Sequence, residues 1–237
     1  MGLNPLESPD SDPLENFLGI TRLFPLPNVV LFPGALLPLH IFEPRYRQMV
    51  ADAMDDDRLI TMVLLKPGHD DDYEGSPPIH KVGCIGRIIQ HEPLPDGKSN
   101  ILLQGLSRVR IRSEDPDDRL YRIALVRILK DRFPPGGPAA VATQVERVIA
   151  SMKEILNLVG RGADAEKLAS ASGVPAGRLC DLACHCLGFD TEVKQTLLNE
   201  LNVGRRAETL LAWMDALLVS LNRRLSTSTY PPEFSKN

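Results

Sequence analysis

Several small constellations in this 237-residue chain have residue types that chemistry uses. Cys180, Cys184, His185 and Cys186 offer thiolates and an imidazole, the ligands zinc prefers. On a helix, Cys180 and Cys184 share a face, while His185 and Cys186 turn about 100° and 200° further, so one helix cannot surround an ion with them. Cys84 stands alone in a strand pattern, and small core thiols are the plainer reading. Gly97-Lys98-Ser99 resembles the end of a phosphate-binding loop, but Glu92 replaces its first glycine and Ile101-Leu102-Leu103 continues as a strand where that loop must open a helix. Asp96-Gly97 between two apolar runs reads instead as a hairpin turn. Asp70, Asp72, Glu74 and Gly75 imitate half of a calcium loop, with Lys81 where the bidentate Glu should stand. His40, His69, His80, His91 and His185 have no nucleophile at a recognisable spacing, so a hydrolase would need a site assembled only in space. No cofactor and no metal are expected.

The segment 166–187 competes as a DNA reader. Short helical patterns with small residues, Gly173 at the turn, and Leu179 and Leu182 beyond it match a helix-turn-helix. The second of these helices carries Arg178 and Asp181 but lacks the Asn, Gln or further Arg that reach base edges. The charge balance points the same way: 27 Lys+Arg against 31 Asp+Glu leaves a net −4, without the cation excess that phosphate contacts require. A DNA-binding regulator is therefore the alternative reading.

The elements that position these residues follow from patterning. At 43% hydrophobic and 24% charged residues the composition is that of a globular protein. Apolar runs are broken by proline far short of the roughly 18 residues a membrane span needs, so no membrane association is expected. Glu7, Asp10, Asp12 and Glu15 precede the first basic residue, Arg22, which is not how an export signal begins. Four cysteines are too few for a disulfide framework, so a reducing, cytoplasmic location is expected.

Residues 1–18 read as a flexible arm. Short runs rich in Val, Ile and Leu predict strands at 21–26, 36–42, 59–65, 82–90, 100–112 and 121–129, and a helix over 44–54 with Pro44 in its first turn. ArgValArgIleArg at 108–112 predicts Val109 and Ile111 inward and the arginines outward. The domain boundaries are 19–131 for the β part, 132–140 for a Pro/Gly linker, 141–225 for a helical bundle with apolar residues at 3-4 spacing, and 226–237 for a flexible tail. The fold class is α+β.

LeuPheProLeuProAsnValValLeuPheProGly at 23–34, followed by LeuLeuProLeuHisIlePheGluProArgTyrArg at 36–47, strongly resembles the N-terminal substrate-recognition domain of Lon proteases, shared with cereblon. GlyCysIleGlyArgIle at 83–88, GlnGlyLeuSerArgValArgIle at 104–111 and ValLysGlnThrLeuLeuAsnGlu at 193–200 extend the resemblance over about 200 of the 237 residues. It implies a PUA-like β pseudo-barrel with one inserted helix, followed by a helical bundle. Full Lon proteases go on to an ATPase and a Ser-Lys peptidase. Neither a Walker motif nor a peptidase nucleophile motif occurs here, so their catalytic residues have no positions to map onto. The expectation is a standalone, non-catalytic polypeptide-binding protein, an adaptor in quality control whose ATPase or protease is supplied in trans.

The residues themselves suggest how such binding would work. Pro25, Pro27, Pro33, Pro38 and Pro44 stiffen the first third of the β part, and a stiff segment loses little entropy when it presents apolar groups to a partner. The candidate peptide-binding residues are Phe32, Leu37, His40, Phe42, Arg45 and Tyr46, set against the plainer reading that such hydrophobes are core. Arg45 and Arg47 would orient a client backbone unless Glu43 or the acids at 55–57 pair with them.

Overall fold

The computed structural model describes residues 12–68, 76–116, 118–169 and 173–228. The chain divides into two compact units, Met1–Lys130 with Asp190–Leu198, and Asp131–Phe189 with Asn199–Asn237. The calcium-like residues Asp70, Asp72, Glu74 and Gly75, with His69 and the serines at 170 and 172, lie outside the described residues. So do most of the arm and tail read from composition.

The first unit is a sheet closed on itself. Strands β1 (Ile20–Leu26), β2 (Leu36–Ile41), β3 (Leu59–Leu64), β4 (Val82–Pro93), β5 (Ser99–Asp115) and β6 (Ile123–Leu129) lie in the order β2-β5-β4-β3-β1-β6, and a further β5–β6 pairing closes a ring from which β2 stands out. The 17-residue length of β5 permits this, because one of its edges pairs first with β2 and then with β6. β1 and β3 are parallel. Parallel neighbours need a crossover, which β2 and helix α1 (Pro44–Met54) supply. β3, the apolar run LITMVL, is buried at every position, and its Thr61 hydroxyl lies 3.0 Å from that of Thr21. Leu23, Leu59, Val63, Ile85, Val109 and Val126 form the packed centre, with Leu14 and Phe17 from the preceding segment laid against it.

Gly105 fixes the segment before β2. A Cβ there would collide with the Phe32 carbonyl. Its absence lets Gly34 N–H donate to Gly105 O at 2.7 Å and Gly105 N–H to Ala35 O at 2.9 Å. The turn expected at Asp96-Gly97 joins β4 to β5, with Gly97 at φ 76°.

Alternation fails at Arg108, which was expected to face solvent and is 2% exposed. Helix α5 (Thr191–Asn199) covers it: Arg108 Nε donates to Leu198 O at 2.9 Å, at the negative end of that helix. Gln195 Nε2 donates to Val82 O at 3.0 Å. These contacts place Asp190–Leu198 with the sheet, whereas periodicity grouped it with the other helices.

The second unit holds a 3-10 turn (Gly137–Val141), α2 (Ala142–Leu158), α3 (Gly162–Ala169), α4 (Ala176–Cys186) and α6 (Val203–Ser228). Val145, Val148, Met152, Leu210, Leu211 and Met214 are buried along the expected faces of α2 and α6. Arg206 is fully buried and bidentate to Asp131, with both N–O distances 2.9 Å. It also donates to Glu200 O and Gly177 O, and its Nε lies 3.4 Å from Asp181 Oδ1. Burial opposes its charge, but Asp181 and Asp131 more than offset that, so its pKa is raised. Arg132, at the start of the stretch read as a linker, is held by backbone bonds to Leu201 and Val203. The α+β class, a mixed sheet with one inserted helix and helices after it, stands as expected.

Candidate functional site

The candidate residues separate into three places. Phe32 is fully buried and offers no surface, which corrects its place among peptide contacts. Tyr46 is 3% exposed: its ring packs on Phe24 with centroids 4.3 Å apart, and its hydroxyl donates to Pro25 O at 3.0 Å. It too is core, because the proline-rich strand β1 needs a partner for a carbonyl and α1 provides one. Arg45 lies 4.6 Å over the Tyr46 ring and pairs with Glu43 at 2.8 Å. Arg45 and Tyr46 line, with Leu120 and Arg122, a groove of about 530 Å³. The acids at 56 and 57 hold Arg22 instead, each at 2.8 Å.

Leu37, His40 and Phe42 belong to or adjoin β2. Leu37 is half-buried, paired with the buried Leu103. His40 and Phe42 are exposed, with their rings stacked at 6.0 Å. His40 Nδ1 lies 2.9 Å from Asn100 Oδ1, and Asn100 Nδ2 donates to Glu92 Oε2 at 3.1 Å. The register aligns these residues across β2, β5 and β4, giving a polar row flanked by apolar groups. Leu36 is 47% exposed, Phe42 56%, and Ile89, at a bulge in β4, 43%. On the other face His91 is held below the usual imidazole range by burial.

The free edge of β2 has its own chemistry. Among the described residues no strand pairs with it. The Gly105 to Ala35 bond sets the alternation, so Leu37, Leu39 and Ile41 bond toward β5 while Leu36, Pro38 and His40 turn their backbones outward. Pro38 has no N–H to offer there, so the middle of the edge is a poor template for another strand. The face accordingly suits side-chain contact better than strand addition. His40 thus meets a side-chain amide on the neighbouring strand.

Sequence reasoning missed Leu36, Ile89, Asn100 and Glu92. The alternation of β2 alone puts Leu36 on the same face as His40, but Asn100 and Glu92 join the row only through strand register. Elsewhere, Cys180 and Cys184 are buried in α4 and the exposed face of that helix carries Arg178 and Leu182. Among the described residues no group of three His, Cys, Asp or Glu is placed to hold a metal ion. No described helix is long and apolar enough to cross a membrane.

A family model described as the ATP-dependent protease La (LON) substrate-binding domain matches residues 21–216. The chain belongs to that family. The Lon protease of Xanthomonas oryzae pv. oryzae (strain KACC10331 / KXO85) is 29% identical over 213 residues, covering 89% of this chain and 24% of that protein. The Lon protease of Rhizobium meliloti (strain 1021) is 28% identical over 194 residues, covering 81% and 23%. The chain thus spans about a quarter of the length of these relatives. Its fold matches the N-terminal domain of the Mycobacterium avium complex Lon protease, with TM-score 0.64 and 14% identity over 83% of this chain and 98% of that one. It also matches the Lon N-terminal domain protein of Xanthomonas campestris, with TM-score 0.58 and 23% identity over 82% and 98%. The sheet and the helices after it are therefore the Lon substrate-binding domain fold.

Proposed function

We propose that this chain is a polypeptide-recognition module that holds unfolded or partly folded clients on the outer face of β2, β5 and β4. It acts in the cytoplasm as an adaptor and leaves peptide-bond cleavage to an ATPase or protease supplied in trans. The observation that carries this reading is the set of exposed apolar side chains, Leu36, Phe42 and Ile89, on a proline-stiffened sheet section whose free edge discourages strand addition. Family membership supports it, since the matched family is defined by substrate binding.

Full burial of a Leu, Ile or Phe side chain is worth about 1.5–3 kcal/mol, so covering these half-exposed groups supplies roughly 2–4 kcal/mol. That corresponds to dissociation constants of about 1–30 mM for one contact site, and longer clients gain by touching several. The test is a binding assay with a chemically unfolded protein against its folded form. Binding confined to the unfolded form and lost in Leu36→Asp/Phe42→Asp supports the reading. Equal or absent binding to both forms, or cleavage of the client by the purified chain, contradicts it.

A further inference from the structure

At the opposite end of α1 lies a groove that the reading above does not use. It has a volume of about 730 Å³, within the size range of ligand pockets. One wall is apolar: Leu18 is 91% exposed and Ile20 59%, with Phe17 and Ile123 beside them. The same lining holds Asp52, Asp55, Asp56 and Asp57, where α1 ends. A helix carboxyl end is already negative, and the last turn of α1 has no basic residue to offset it. Arg22 answers part of this charge, donating to Asp56, Asp57 and the Asp52 carbonyl, and Tyr121 donates to Asp52 at 2.7 Å. Even with Arg22 and Arg119 counted, the lining keeps an acidic excess of 4 − 2 = 2. Asp55 is exposed and Asp56 keeps 66% of its side chain in solvent.

We infer that this groove takes a short client segment in which an aliphatic or aromatic residue adjoins a Lys or Arg. The apolar side chain lies against Leu18 and Ile20, and the cation faces Asp55 and Asp56. Charge complementarity selects this occupant, since an acidic segment would meet the rim with like charge. The chain's own residues 1–11 carry Glu7 and Asp10 and no Lys or Arg, so they have the wrong charge to fill it. The inference rests on the proposed polypeptide binding and adds a charge preference at a second place.

The experiment is fluorescence anisotropy on the full chain with three labelled peptides of equal length, one of alternating Leu and Lys, one with each Lys replaced by Glu, and one with each Leu replaced by Ser. The Leu/Lys peptide is expected to bind about tenfold more tightly than either other at low salt, with the margin over Glu shrinking as salt rises. Asp55→Asn/Leu18→Ser should cut that margin severalfold. Equal affinities for Lys and Glu peptides, or a preference untouched by the groove variant, would overturn the inference. If an unfolded protein still binds in that case, the broader reading survives. Loss of unfolded-protein binding altogether defeats that reading separately. Self-association that disappears only in the groove variant would assign the groove to a second copy of the chain and also overturn the inference.

Discussion

Each unit contains an arginine that faces two aspartates, and the two arginines differ in what they leave over. Arg206, in the helical unit, is fully buried, and the structure places Asp131, Asp181 and two carbonyls around it. Arg22, in the sheet unit, keeps 14% of its side chain exposed and shares its groove with the solvent-exposed Asp55 and Asp56. A mostly buried charge network ties α4, α6 and the chain at Asp131 together, and only the Asp131 carboxylate, 29% exposed, reaches water. An open one holds the end of α1 while presenting unspent negative charge to a partner.

Arg206→Ala is the sharpest way to break the comparison. It strands Asp181, 1% exposed, without its cation, and should cost about 3–5 kcal/mol in the helical unit. The single tryptophan, Trp213 on α6, reports that unit's unfolding in denaturant. A loss under about 1 kcal/mol would mean the network is not the organiser described. Arg22→Ala should cost less, about 1–2 kcal/mol, since Asp56 and Asp57 return to water when freed. Circular dichroism of the sheet unit's transition measures it, and equal losses at the two sites would erase the distinction.

Arg58 offers a gain next to the open network. It sits at φ 61°, where a side chain is strained, and caps α1 by donating its N–H to Ala53 O at 2.8 Å. Arg58→Gly should stabilise the chain by about 1 kcal/mol in the same measurement, because glycine adopts that conformation freely. The last effect is a pH slope confined to alkaline solution. Burial and the hydrogen bond to Asp52 push the Tyr121 phenol from 10.0 up to about 12. Its proton is held more tightly in the folded than in the unfolded chain. The stability it contributes is complete below pH 10 and falls away as pH rises toward 12. Tyr121→Phe should remove this part of the alkaline slope in a denaturation series.

Local pattern was enough for the element list. The helix expected at 44–54 lies at Pro44–Met54, and the expected strands differ from the observed ones by a few residues at their ends. Alternation and helical spacing are properties of neighbouring residues, so they are readable along the chain. The errors arose where a distant segment intervened. Arg108 is buried because α5, some 90 residues later, supplies a helix end to receive it. Phe32 is sealed because Gly105 lets its backbone close on β5. The groove draws on residues 13–22, 52–59 and 119–123, and nothing at any one of those places marks it as a wall.

The central claim is that clients are held by side chains on the outer face of β2, β5 and β4. Hydrogen–deuterium exchange on the full chain, with and without a chemically unfolded protein at near-millimolar concentration, tests it most directly. Slowed exchange is expected at 36–42 and 87–92, with the amides of α2, α3, α4 and α6 unchanged. Protection confined to that helical unit, or none at β2 under conditions where binding is seen, would contradict it.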